Sequence, residues 1–336
     1  IARWKDSVDF TDMIWMPWVF QLEPSSYPSL FLCDEAQDLS PAQLSLALRL
    51  AGDSRKVFVG DPNQSIFGFA GADTESFAKI QEALGENAPE FSLPVCYRCP
   101  KEVISLVQDN FAFPFYPHQG AKDGIVDITE LDIHQMAEPG NTVVLCRNNA
   151  PLFGAAYELL EKGIPAFVKG KDLLQKFKKF IKELGEVEYD RSLVEVFKQK
   201  NWPLSRFVLK LETHLQNKKE ELKNWEGDND TKIRILDQLE EMVVCLTTIY
   251  NNNSFQSEDE MLQHLELLFS GSQESAVCLS TVHRFKGGEA DQVILISPEK
   301  LGLGGQQEEN LLYVALTRAK QELVVQLPYD NPVPPY

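Results

Sequence analysis

The sequence is short of positive charge: 32 Lys and Arg against 50 Asp and Glu over 336 residues leave a formal net charge of −18. That excludes a uniformly basic nucleic-acid binder, though not a groove that gathers a few cations locally. Long uncharged apolar runs are also missing, as is the architecture of a secretory signal, so no membrane association is expected. No repeat of solenoid type is present. Cysteine is sparse. Cys33, Cys146 and Cys278 sit in apolar, strand-like stretches and read as buried thiols. Cys96 and Cys99 form a C-x-x-C, but no second pair stands at zinc-binding spacing and a redox role has little support, so plain structural thiols are the simpler reading. A reduced, cytoplasmic compartment follows from that usage. An initiator Met is lacking, and the opening IARWKDSVDF reads like the interior of a protein, which suggests an expression boundary or an incomplete gene.

What is present is ordinary globular material, 43% hydrophobic and 24% charged, long enough for about two domains of roughly 100–200 residues each. Leu30 to Cys33 reads as a buried strand with carboxylates at its C-terminal tip. A helix start follows, with Ser40 as N-cap, Pro41 at the first helical position and Gln43 completing a capping box. Leu44, Ala47, Leu48 and Ala51 recur at helical spacing, and Gly52 can stop the helix. A second strand, Lys56 to Val59, ends in GDPNQ. Strand, loop, helix and strand with polar groups at the strand ends is α/β layering, and ligands in such sheets bind beyond the strand C-termini.

Glu102 to Phe111 reads as a helix, and Phe113 to Gly124 as a linker rich in Pro, Gly and aromatics. A second α/β block begins with GIVDITEL and NTVVLCRN and continues through a helix at Ala150–Lys162 and a strand at Ala166–Val168. From Lys171 to Ser270 the texture turns charged and helical, with almost no strand signal; strands return at Ala276–Thr281 and Val293–Ile296. The simplest account is a helical insertion within the second α/β domain, so that residues 142–146 and 277–281 should lie in one sheet. The expected domains are 1–112, then 113–170 with 271–336, then the inserted 171–270.

Several segments could carry chemistry. In DEAQD (34–38), a carboxylate at a strand tip can hold magnesium through water, and a second beside it can position or deprotonate an attacking water. A solvated acidic strand end is the plain alternative. In VGDPNQSIFGFAGAD (59–73), the Gln64 amide lies where it could sense a γ-phosphate. Phe67 and Phe69 alternate on an extended segment where they could stack on unpaired bases; on that segment alone, core packing is the better reading. LPVCYRCP (93–100) offers Tyr97 and Arg98. VCLSTVHRFKGGEADQVILI (277–296) is a strand, a polar turn with paired glycines and a strand. In NLLYVALTRAKQELVV (310–325), Leu312, Ala315, Leu316 and Ala319 form a buried stripe; Arg318 falls outside it and suits an arginine finger, or a surface salt bridge.

In this order, these segments resemble the motif series of UvrD/Rep-like superfamily 1 DNA helicases. DEAQD is similar to their second motif, GDPNQSIFGFAGA to the third, YRCP to the fourth, TVHRFKGGEADQV to the fifth and YVALTRAK to the sixth; DFTDMIWMPW resembles a segment that precedes the second. The resemblance implies two RecA-like parallel-sheet domains, the first incomplete. It implies ATP and Mg2+, with Asp34 binding the metal, Glu35 activating water and Gln64 coupling the γ-phosphate to DNA. Tyr97 would stack near the adenine, Arg98 and Arg318 would face the phosphates, and Glu289 would hold the ribose. Thr281 and His283 would touch the DNA strand, with Phe67 and Phe69 as stacking rings; for His283 the plain alternative is a satisfied turn histidine. The partners implied are single-stranded DNA and duplex junctions, travelled 3′ to 5′.

The departures are specific. The family often has Tyr and Trp where Phe67 and Phe69 stand, and an Arg where Ala70 stands. Its fifth motif usually reads KGLE, here KGGE, which could loosen Glu289. The helical insertion looks short for the group. Nowhere is there G-x-x-x-x-G-K-[ST]; Gly170-Lys171 is followed by Asp172 and lacks the earlier glycine. In the family that loop precedes the second motif, and would here precede Ile1. Without its amides and Lys, nucleotide affinity and turnover should collapse. Two alternatives stay open: a non-catalytic DNA-binding or interaction module with helicase-like domains, and a DEAD-box-type RNA helicase, which YVALTRAK and GDPNQSIFG fit poorly.

Overall fold

The computed structural model describes residues 9–68, 76–85, 88–185, 187–190, 192–193, 205–225, 227–253, 255, 257–302 and 304–327. Their contacts divide the chain into two compact units, Ile1–Val95 with Leu301–Val314, and Cys96–Lys300 with Ala315–Tyr336.

In the first unit, helix α1 (Phe10–Val19) starts at a capping box between Asp9 and Asp12. Strands β1 (Leu30–Cys33) and β2 (Arg55–Phe58) pair in parallel, Leu30 opposite Arg55 and Cys33 opposite Phe58. Between them runs α2 (Pro41–Ala51). Its Ser40 hydroxyl accepts from the Gln43 N–H (3.3 Å), and the Gln43 side chain accepts from the Ser40 N–H (2.8 Å), satisfying two donors that a helix start leaves open. Gly52, at φ +51°, ends the helix. With α3 (Ser76–Leu84), these elements bury Ala36, Leu44 and Ile80, against which Cys33, Leu48, Phe58 and Phe77 pack. Cys33 is half-buried rather than fully buried, because β1 is one of only two strands among the described residues of this sheet.

A short pair, β3 (Val95–Cys96) and β4 (Tyr116–Pro117), has the helix α4 (Lys101–Asn110) between its strands; from Cys96 on, these residues belong to the second unit. Its sheet has six strands, all parallel: β5 (Ile125–Thr129), β6 (Thr142–Cys146), β7 (Ala166–Val168), β8 (Val277–Thr281), β9 (Ala290–Leu295) and β10 (Ala319–Gln326), in the order β5-β10-β9-β6-β8-β7. Every residue of TVVLC and of VCLST is buried, as expected of interior parallel strands covered on both faces. β6 and β8 pair directly, Cys146 opposite Thr281, so the strands flanking the helical stretch do lie in one sheet. The fold is mixed α/β around this parallel sheet.

The helices α5 (Asn149–Glu161), α6 (Lys171–Gly185), α7 (Arg206–Lys223), α8 (Asn229–Asn251) and α9 (Glu258–Leu268) belong to the same unit. Phe177 and Leu184 of α6, Leu246 of α8 and Leu265 of α9 join Val144, Leu279 and Ile294 of the sheet in one continuous core. A short turn of helix, α10 (Val282–Phe285), follows β8, and α11 (Gln306–Leu316) precedes β10. No described helix is long and apolar enough to cross a membrane.

Candidate functional site

In the first unit the sites gather at the C-terminal ends of the strands. Asp34 and Glu35 follow β1 and are exposed. The Glu35 N–H donates to Asp34 Oδ1 (2.9 Å), and Glu35 takes a left-handed backbone (φ +52°), an uncommon position for a residue with a Cβ. The next turn buries Gln37 completely (0% exposed). Its amide donates to the Glu35 carboxylate, its Oε1 accepts from the Asp61 N–H (3.0 Å), and its own carbonyl accepts from the Ser65 and Ser76 hydroxyls (3.2 and 3.3 Å). Gln37 thereby ties the acids after β1 to the GDPNQ loop after β2. Gly60 leaves it room: a Cβ there would lie 2.2 Å from Gln37 Oε1.

Within that loop Gln64 Nε2 donates to Asp61 Oδ2 (2.9 Å), an oxygen that also accepts from the Tyr313 hydroxyl (3.1 Å). Asn310 donates to the Pro62 and Ser65 carbonyls (3.2 and 2.9 Å). Phe67 is half-buried beside the fully buried Ile66; Phe69 lies outside the described residues. Gln37, Asp61, Asn310 and Tyr313 were missed from the sequence. The one available signal was a Gln placed among acids at a strand end, where a solvated turn has no need of an amide.

In the second unit the named residues fall at opposite ends of the sheet. Glu289 and Arg318 immediately precede β9 and β10, at the N-terminal edge. Arg98 Nε pairs with Glu289 (3.1 Å), and its Nη1 reaches the Thr317 carbonyl (3.5 Å). Tyr97 is 79% exposed and stacks on His118, with ring centroids 5.2 Å apart and planes 15° apart. Arg318 corrects the expectation of a projecting finger. It is 1% exposed, with Nη1 donating to the Gly288 carbonyl (3.4 Å) and Nη2 to the Thr317 hydroxyl (3.1 Å). The physical reason is that α11 ends at Leu316, so helical spacing no longer governs position 318.

Thr281 and His283 lie at the other, C-terminal edge, where register puts Thr281 about 20 Å along the strands from Glu289. Thr281 is buried and caps α10, its hydroxyl accepting from the Arg284 N–H (3.5 Å); His283 is half-buried. Arg284, also not anticipated, joins three connections at this edge. Its Nη1 donates to Asn149 Oδ1 (2.7 Å) and its Nη2 pairs with Asp172 (3.0 Å). Asn149 in turn donates through its backbone and side chain to Glu241 of α8 (2.8 and 2.9 Å). Burial opposes ionisation of Asp172, but the Arg284 hydrogen bond and charge outweigh it and hold the carboxyl below its usual value. Among the described residues no group of three or more His, Cys, Asp or Glu side chains converges as a metal site.

Two segments of the chain match known families. Residues 6–84 match the model of the UvrD/REP helicase N-terminal domain, and residues 276–326 that of the UvrD-like helicase C-terminal domain. The first contains both strand ends with Gln37 and Gln64, and the second contains Thr281, Glu289 and Arg318. Both matched segments are thus similar to domains of the UvrD/Rep-like helicases. The F-box DNA helicase protein 1 of Schizosaccharomyces pombe is 24% identical to it over 332 residues, covering 89% of this chain and 34% of that protein. The chain thus spans about a third of the length of this curated relative.

Proposed function

We propose that this chain is part of an ATP-driven motor that moves 3′ to 5′ along single-stranded DNA and separates strands at duplex junctions. The observation that carries the reading is the buried Gln37 amide, which joins the Glu35 carboxylate to the Asp61–Gln64 loop inside the segment matched to the helicase N-terminal domain. A group that positions water and a group that senses phosphate are thereby mechanically one piece. The exposed carboxylates of Asp34 and Glu35 are hard oxygen donors suited to magnesium, which keeps most of its waters and takes the rest of its ligands from phosphates. Asp34 would hold the ion, whose charge would draw electron density from the phosphate oxygens. Glu35 orients the attacking water and accepts its proton, and Gln64 exchanges its Asp61 partner for the nucleotide. In the second unit, Tyr97 offers an open aromatic face, Arg98 and Arg318 supply positive charge and Glu289 accepts hydroxyl donors. Thr281, His283, Phe67 and Phe69 take the DNA strand. The domain assignment of residues 171–270 as an inserted subdomain belongs to this proposal, as does a cytoplasmic location.

The chain contains no G-x-x-x-x-G-K-[ST] segment, so alone it should be a very poor ATPase. DNA-stimulated ATP turnover of the 336-residue chain is expected at background. Robust turnover that Glu35→Gln abolishes would overturn that expectation. The second reading is a non-catalytic DNA-binding or interaction module with helicase-like domains. The two separate on whether a phosphate loop occurs in the same polypeptide and whether that protein unwinds a 3′-tailed duplex.

A further inference from the structure

Cys96 and Cys99 flank Tyr97 and Arg98 in a single tight turn. The Cys99 N–H donates to Cys96 Sγ (3.3 Å), so the Cys96 sulfur is folded back over the turn toward Cys99. Cys99 is 3% exposed, and its thiol lies 3.5 Å from the Thr317 carbonyl, the same oxygen that Arg98 Nη1 approaches. Cys96 is only half-buried. The Cys99 thiol, helped by backbone donors and by the Arg98 charge, brings the Cys96 thiol down to about 6, while the Cys96 sulfur and burial push the Cys99 thiol far up. The two thiols are thus shifted in opposite directions, the division of labour of an attacking and a resolving cysteine. The other four cysteines lack this pairing: Cys33, Cys146, Cys245 and Cys278 are all raised by burial.

We propose that Cys96 and Cys99 form a modification site for hydroperoxides, at which Cys96 is oxidised and Cys99 closes a reversible disulfide across Tyr97 and Arg98. In the first step the Cys96 thiolate attacks one peroxide oxygen. The S–O bond forms, the O–O bond breaks, and the leaving oxide takes a proton to become water or an alcohol. Sulfur is oxidised to the sulfenic acid and the peroxide is reduced. In the second step the Cys99 sulfur gives up its proton and attacks the Cys96 sulfur; the S–S bond forms, the S–O bond breaks, and water leaves. The Thr317 carbonyl loses its thiol neighbour, so the seat of Arg98 changes with the redox state.

The size of the effect on alkylation can be worked out. Lowering a thiol from about 9 to about 6 raises its thiolate fraction at pH 7 from about 1% to about 90%, while intrinsic nucleophilicity falls roughly twentyfold, leaving a net gain of roughly fourfold. The experiment takes the reduced full chain and follows iodoacetamide labelling of each cysteine by peptide mass spectrometry. It then treats the chain with hydrogen peroxide before a trypsin digest. Cys96 should label roughly fourfold faster than an ordinary thiol, and faster still than Cys33. Trypsin cuts after Arg98, so the oxidised protein should give the Cys96 and Cys99 fragments still joined, separable by dithiothreitol. In Cys99→Ser, Cys96 should instead be trapped by dimedone as the sulfenic acid. Labelling of Cys96 no faster than of Cys33 would overturn the proposal, and so would peroxide treatment that leaves the two fragments separate. Both readouts use the unmutated chain and stand even if the variant does not fold.

Discussion

Gly60→Ala offers the most direct test of the link between the two strand ends in the first unit. The new methyl would lie 2.2 Å from Gln37 Oε1, 3.0 Å from the Ala36 nitrogen and 3.1 Å from Phe77 Cζ. The first contact cannot be held, so the Gln37 side chain must leave its pocket. The Asp61 N–H then loses its acceptor and the Glu35 carboxylate its donor. An orphaned donor costs roughly 1–3 kcal/mol and a hydrogen bond to a charged group about 1.5 kcal/mol, so a total of roughly 3 kcal/mol is expected. Gln37→Ala removes the same bonds directly and should cost about as much. The double variant is the decisive one. With Gln37 already truncated, the added methyl meets only the two milder contacts, so the combined loss should be roughly 4 kcal/mol rather than about 6. Hydrogen exchange of peptides covering residues 30–39 and 55–65 reads this locally, and 3 kcal/mol corresponds to roughly a hundredfold faster exchange. Strictly additive losses, or exchange in Gly60→Ala within about twofold of the parent, would refute the linkage.

Arg284→Met should lower the melting temperature of the second unit by a few degrees, for a loss of roughly 1–3 kcal/mol carried mainly by the Asn149 bond, since the Asp172 carboxylate is largely exposed and screened. Arg284→Lys should recover less than half of that, because one ammonium cannot replace the planar fork; full rescue would disprove the geometry. His264 is held below its ordinary value by burial, against Tyr157, whose hydroxyl lies 3.0 Å from its Nε2. The unfolded chain binds that proton more readily, so stability is retained above about 6.5 and is lost as pH falls through that value; His264→Gln should flatten the melting-temperature slope between pH 7.5 and 5.5, and an unchanged slope would remove this residue as the cause. In a turnover-competent protein, Phe67→Ala and Phe69→Ala should weaken single-strand binding by roughly 1–3 kcal/mol per ring with near-normal melting. Unchanged affinity with a large stability loss would make the rings core residues.

What could be read from the sequence follows from the range of the interactions involved. The start of α2 was legible because a capping box is complete within four residues, Ser40 to Gln43. β6 and β8 were legible because strands buried on both faces are predominantly apolar and small, here with Thr142, Ser280 and Thr281 as the buried polar members. The strand-end acids could be found because parallel sheets place ligand groups there. Gln37 and Arg284 were not legible. Each acts on partners distant in sequence, Asp61 in one case and Asn149 with Asp172 in the other, and no local period marks them. Arg318 was misread for the opposite reason: a helical period was carried two residues past the end of its helix, onto a residue that the strand start buries.

The two edges of the second unit are joined by a short connection. Thr281 closes β8 and Ala290 opens β9, two strands running in the same direction on either side of β6. The chain must therefore travel about 20 Å back along the sheet between them. It has eight residues for this, 282–289. The helical turn Val282–Phe285 contributes about 6 Å. The turn closed by the Gly288 N–H on the Phe285 carbonyl adds under about 7 Å, and the last two steps add about 7 Å. The strand ends also lie two strand spacings, about 10 Å, apart across the sheet, so the connection is short for its span. Gly287, at φ +81°, turns the chain where a side chain would be strained, and Gly288 packs so closely that a Cβ would lie 3.0 Å from the Phe285 carbonyl oxygen. Arg318 holds the Gly288 carbonyl at the far end, and Arg284 anchors the near end to Asn149 and Asp172. The segment between Thr281 and Glu289 is thus short and anchored at both ends.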